Sequence, residues 1–184
     1  MSDRDLILGR LPESGRSELP DVYRFGECQE DNLLEKFRES FQALGGKVVT
    51  LDDLLPLSSS LWSVEPGLDL PLGFRPRKVG PWDAEFGLSR AQFAIAESGS
   101  FLLVQGGGQS RLSSLAPPVH VVLVAPKCLV WSLTEALTEL PPENAVVVTG
   151  PSRTADIEGV LVRGVHGPKA IWAVFEPETV VTEP

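Results

Sequence analysis

A chain of 184 residues, 42% of them apolar and 22% charged, is long enough to bury one core without disulfide or metal staples. Its formal charge of −9 works against non-specific nucleic-acid binding, which depends on Lys and Arg neutralising phosphates. No apolar run approaches the ~20 residues of a membrane-spanning helix, and two distant cysteines (Cys28 and Cys128) with two histidines give no basis for a structural metal, an iron–sulfur cluster or any other cofactor.

The start, MSDRDLILGRLPESGRSELPDVYRF, is charged and broken by proline, unlike a secretory signal, so the chain reads as cytoplasmic. Residues 1–27 lack periodicity and read as an N-terminal arm ahead of a single α/β domain over residues 28–184. From Asn32, Leu33, Leu34, Phe37, Phe41 and Leu44 recur at helical spacing, and Gly45-Gly46 ends the helix. The strand KVVTL follows from Lys47. Leu54 to Trp82 is rich in Pro, Gly and Ser and reads as a surface excursion with one short strand at Leu61–Val64; Trp62 and Trp82 are expected to pack under it.

In LSRAQFAIAESG, Ser89 is placed to cap a short helix that Gly99 stops. SFLLV and VHVVLVA read as buried strands, with the turn QGGGQS after the first. Ser132 and Glu135 form an S-x-x-E capping box on a helix ended by Pro141-Pro142. NAVVVTG is a further strand and AIWAVFE the last. Continuous apolar runs alternating with helices predict a mostly parallel sheet with helices on both faces.

The richest stretch is VVVTGPSRTADIEGVLVRGVHGPKAIWAVF, Val146 to Phe175. Its spacing predicts strand, turn at Gly150-Pro151, a helix capped by Ser152 or Thr154 with Ile157, Val160 and Leu161 inward, a stop at Gly164, and a strand. In an open α/β sheet, ligands bind beyond the carboxyl ends of strands, where helix N-termini offer free amides. Gly150, Ser152, Arg153 and Thr154 at such an end suit a carboxylate or phosphate. The plainer alternative is that the hydroxyls only cap the helix and Arg153 pairs with an acid. Asp156 and His166 are candidate acid–base groups in the same stretch, against the alternatives of a dipole-stabilising acid and a structural imidazole. AESGS adds Glu97 as a candidate nucleophile or base, against the alternative of a surface or turn-forming acid, with Gly99 beside it as a ligand-binding candidate. Arg111, after three glycines, is a weaker anion candidate, and the glycine spacing matches no nucleotide motif. Residue chemistry thus yields a polar site at strand ends but no reaction.

The run GPSRTADIE followed by GVHGP resembles the C-terminal signature of the lactate-utilisation protein C family (LutC/YkgG, the LUD domain). GLSRAQFAIAESGSFLLV is similar to the family's second motif and RLSSLAPPVHVVLV to its third, with Gln92 where the family usually carries an acid. The resemblance covers roughly Phe86 to Glu176. It implies the fold of sugar-phosphate isomerases and CoA transferases (NagB/RpiA/CoA transferase-like). It also implies an accessory, cluster-free role in bacterial oxidation of L-lactate to pyruvate beside iron–sulfur partner proteins. The alternative is a small-molecule enzyme or ligand-binding protein acting on an organic acid, a CoA thioester or a sugar phosphate.

Overall fold

The structure, a computed structural model, describes residues 32–105, 111–138, 144–155, 161–163 and 166–177. The expected arm over residues 1–27, the QGGGQS turn after Gln105, Pro141-Pro142 and Asp156 lie outside them.

Helix α1 (Leu33–Ala43) forms where the apolar spacing predicts, burying Phe37 and Phe41 completely. Its outer face carries the exposed pairs Glu35–Arg38 and Lys36–Glu39, each at 3.8 Å and worth little in water. The chain turns out of it at Gly45, whose φ of 86° a side chain would resist, and Gly46 N–H donates to the Phe41 carbonyl. Strand β1 (Lys47–Val49) follows, then the single turn α2 (Leu51–Leu54). A reciprocal cap holds α2: Asp53 N–H donates to Thr50 Oγ1 and Thr50 N–H to Asp53 Oδ2 at 2.8 Å.

Strands β2 (Leu61–Val64), β3 (Arg77–Lys78), β4 (Phe86–Arg90), β7 (Val119–Val124) and β12 (Ala170–Phe175) join β1 in a six-stranded sheet ordered β1-β12-β7-β4-β2-β3. Every pairing in it is parallel. Alternation along β7 and β12 divides the core. Val122, Val124, Ile171 and Ala173 meet the α1 phenylalanines on one face, while Val121, Leu123 and Val174 meet Leu54, Trp62 and Phe74 on the other. Both faces are therefore covered, one by α1 and the other by α2 with the Pro-rich excursion. A parallel sheet buried on both sides needs continuous apolar strands, and that is the pattern present.

A second sheet lies against the α1 side, in the order β8-β5-β6-β9, formed by β5 (Phe93–Ile95), β6 (Ser100–Gln105), β8 (Leu129–Val130) and β9 (Asn144–Val148). Two of its three pairings are antiparallel. The sequence pattern did not anticipate it, and it corrects two expectations. No helix starts at Ser89: Phe86–Arg90 and Phe93–Ile95 are strands of different sheets, because β7 and β6 offer them ladders that a helix would forgo. Nor does Val146–Val148 belong to the parallel sheet, since β9 runs antiparallel to β6. Half of the expected capping box is present: Glu135 N–H donates to Ser132 Oγ at 3.2 Å ahead of α4 (Leu133–Thr138), while the Glu135 carboxylate accepts from Trp131 N–H at 2.9 Å; the short α3 (Leu112–Leu115) precedes it. Trp62 is fully buried and stacks on Phe86, but Trp82 is 77% exposed, contrary to the expected packing.

Candidate functional site

The Gly150–Gly167 segment differs from the expected crossover. Strand β10 (Arg153–Ala155) pairs antiparallel with β11 (Leu161–Arg163), so Leu161 lies in a hairpin strand rather than on a helix. Ile157, Val160 and Gly164 fall outside the described residues. The fan of free amides that made the stretch suited to an anion is absent at Arg153 and Thr154, whose backbones belong to the β10–β11 ladder.

What replaces it is a junction around the C-terminal turn of α1. Gly150, at φ +71°, lies against Leu44, and the Arg153 guanidinium donates to the Leu44 carbonyl. A cation at the open carbonyls of a helix C-terminus complements its dipole. Gly99, at φ +63°, meets the Ser40–Phe41 backbone so closely that a Cβ would overlap it. Ser40 Oγ donates to the Glu97 carbonyl at 3.3 Å. Ser100 Oγ and Thr149 Oγ1, 2.8 Å apart, bridge the two corners.

The structure thus brings Glu97, Gly99, Gly150 and Arg153 to one end of α1, largely through backbone contacts. The Glu97 carboxylate itself accepts from Leu133 N–H at 3.3 Å, at the start of α4. Ser152 is half-buried, gives its N–H to the Pro168 carbonyl at 3.0 Å, and packs its side chain against Gly167. His166 is exposed beside that glycine. Of the described polar side chains in the stretch, Arg153 is the one seen capping a helix end.

A second polar arrangement escaped the sequence reading. His120, on β7, is completely buried, and its Nε2 lies 2.7 Å from Ser89 Oγ on β4 while Nδ1 has no partner. Burial holds the imidazole pKa down at about 4, so it is neutral at pH 7. Next to it, Gly87 lets α3 approach so closely that a Cβ would overlap the Ser113 carbonyl, and Ser113 Oγ meets Ser63 Oγ at 2.9 Å. An enclosed hydroxyl–imidazole pair of this kind orders the sheet but does not reach solvent.

An open concavity lies elsewhere in the molecule. A cleft of about 770 Å³ opens beyond the carboxyl ends of β1, β4, β7 and β12. Arg90 ends β4, Lys127 follows β7, Glu176 follows β12, and Asp69 comes from the excursion after β2. Arg90 spans it, donating to Glu176 Oε1 at 2.8 Å and to the Asp69 carbonyl at 3.2 Å. Arg90 N–H also donates to Glu65 Oε2 at 3.2 Å; burial pushes the Glu65 carboxyl pKa up, partly offset by that bond and by the guanidinium charge. Leu51, Leu70, Pro71, Leu72 and Val174 complete the walls. This cleft, at the strand ends of the parallel sheet, is a position where ligands sit in open α/β folds, and it is separate from the Gly150–Arg153 stretch. Arg90 was hidden by reading its strand as the first turn of a helix, and Lys127 by its plain context. Among the described residues no cluster of three or more His, Cys, Asp or Glu side chains is placed to hold a metal, and no helix is long and apolar enough to cross a membrane.

Comparison with known proteins adds a lineage. The family model of the LUD domain matches residues 82–175, half of the chain, from just before β4 through β12. An uncharacterised protein of Neisseria meningitidis is 30% identical over 154 residues, covering 75% of this chain and 64% of that protein. A protein of Halalkalibacterium halodurans named lactate utilization protein C is 35% identical over 103 residues, covering 50% of this chain and 45% of its own length. The chain therefore spans roughly half to two thirds of these relatives. A crystal structure of a DUF162 family protein from Deinococcus radiodurans shares the fold, with a TM-score of 0.56 at 17% identity over 81% of this chain and 99% of that one. With the matched segment supplying three of the four inner strands of the parallel sheet, β4, β7 and β12, the chain belongs to the LUD domain family.

Proposed function

We propose that this chain serves L-lactate utilisation as an accessory component without a cluster of its own, working beside iron–sulfur proteins that carry the electrons from lactate oxidation. The observation that supports this reading most is the LUD match over residues 82–175, together with relatives named lactate utilization protein C at about this level of identity. The two cysteines of the chain cannot supply the ligand set of a usual cluster, so in this reading electron transfer belongs to the partners. Deleting the gene in its own organism is the direct test: growth on L-lactate as carbon source should fail and return on complementation, while growth on pyruvate is unchanged. Normal growth on lactate without the protein would discard the proposal. Affinity purification of the tagged chain from lactate-grown cells should bring down iron–sulfur proteins.

A second reading, as an enzyme or binding protein for a small organic anion, is supported by Arg153 and His166 on the surface beside Ser152 and by Glu97 and Gly150 at the same end of α1. Thr154, Gly99 and Asp156 stay with that proposal as neighbours in the chain. Because Arg153 donates to the Leu44 carbonyl, an anion there would have to share its guanidinium with the helix end. Thermal melting with L-lactate, pyruvate, a CoA thioester and a sugar phosphate tests it: a shift present in the wild type and lost in Arg153→Ala supports it. No shift with any anion counts against it.

A further inference from the structure

The cleft beyond the parallel strands has a chemistry of its own, independent of the lactate reading. Its volume, about 770 Å³, lies in the range of ~300–1,000 Å³ typical of sites for larger organic ligands, so a three-carbon acid would leave most of it empty. Its charges balance, Arg90 and Lys127 against Asp69 and Glu176. Arg90 is already engaged by Glu176 and by the Asp69 carbonyl, whereas no ion pair to Lys127 occurs among the described residues. One uncommitted ammonium suits a single carboxylate. It is a poor match for a polyphosphate, which needs an excess of positive charge or a cradle of backbone amides.

The walls sharpen the choice. They are aliphatic, from Leu70, Pro71, Leu72 and Val174, and among the described residues no aromatic ring lines the cleft to stack a nucleobase. Leu72 is 97% exposed at the cleft wall, an apolar side chain that no described residue buries. Accordingly, we infer that the cleft binds an aliphatic carboxylic acid of medium chain length, its carboxylate paired with Lys127 and its hydrocarbon chain covering Leu72 and the Leu70–Pro71 wall. Arg90, fixed between Glu176 and Asp69, sets the polar floor.

Isothermal titration of the full chain with octanoate, octan-1-ol, L-lactate and inorganic phosphate decides the matter. Lys127 and Leu72 are both exposed, so Lys127→Glu and Leu72→Asp should melt like the wild type. Octanoate should bind the wild type more tightly than the other three probes. Its affinity should fall about tenfold in Lys127→Glu, through loss of the charge-assisted contact, and at least about threefold in Leu72→Asp. Arg153→Ala should bind octanoate as the wild type does. The inference is overturned if octanoate does not bind, if Lys127→Glu binds it unchanged, or if phosphate or L-lactate binds more tightly. None of these outcomes bears on growth on lactate, so the two proposals fail separately.

Discussion

His120 sits in the central strand among valines, and its surroundings alone decide its charge. Burial lowers its pKa from the ordinary 6.5 to about 4, with no charged neighbour contributing. Above pH 6.5 the ring is neutral both folded and unfolded, and the fold loses nothing. As pH falls from 6.5 towards 4 the unfolded chain takes up a proton that the folded chain refuses, so stability declines by up to about 3 kcal/mol. Urea unfolding at pH 7.5, 5.5 and 4.5 should therefore show a falling midpoint, and the fall should be shallower in His120→Leu. Ser89→Ala strands the imidazole Nε2 in the core and should cost about 1–2 kcal/mol at pH 7.5. Gly87 is more demanding still, because the missing Cβ is the space that the Ser113 carbonyl occupies. Gly87→Ala should cost about 3 kcal/mol or leave the protein insoluble, whereas Gly67→Ala, with open space around it, should lose only what its φ of +76° imposes. Equal midpoints for these two variants would refute the close-approach argument.

Among the elements, α1 was the most legible, because Leu33, Phe37 and Phe41 repeat at a spacing that only a helix turns into one face. Its weight in the core comes from aromatic clustering: Phe41 lies 5.4 Å from Phe37 and 5.1 Å from Phe101, centroid to centroid. Phe41→Ala should cost about 3–5 kcal/mol in chemical denaturation, while Thr50→Ala, which removes only the cap of α2, should cost about 1 kcal/mol. A reversed order would mean that α1 is only loosely docked. The two helices wrongly expected, at Ser89 and after Gly150, share a cause. Ser, Thr and Asp before an apolar run read as an N-cap, but the same residues are at home at strand ends and tight turns. A long-range ladder decided the first, β4 with β7, of which a local pattern carries no record, and a short hairpin pairing the second, β10 with β11, whose turn signals were read as a cap. Arg153 shows the corresponding limit for the site: the sequence offers it as an anion-binding candidate, and in the fold it donates to the Leu44 carbonyl of another element.

At the scale of the whole molecule, continuous apolar strands announced a parallel sheet, and their order could not be read because sheet order is a property of crossovers rather than of segments. The cleft was illegible for the same reason, since its walls run from Leu51 to Pro177 in sequence. The strand order in turn dictates where stability is concentrated. Strand β7 is paired on both sides, to β12 and β4, and Val121 to Val124 are completely buried on alternate faces of the two main core clusters. Opening its amides requires breaking both ladders and both cores at once, which amounts to global unfolding. Strand β3 is bonded only to β2, through two residue pairs, and both Arg77 and Lys78 are exposed. Native-state hydrogen exchange should then find the Val121–Val124 amides opening with the free energy measured by denaturant, and β3 exchanging orders of magnitude faster. The second sheet distinguishes two outcomes. If β5 and β6 exchange with β7, the shared cluster of Ala94, Ala96 and Phe101 with Val122 and Val124 makes the sheets one cooperative unit. If they exchange at a lower free energy while β7 holds, the parallel sheet is stable by itself, and a single folding unit for the domain is excluded.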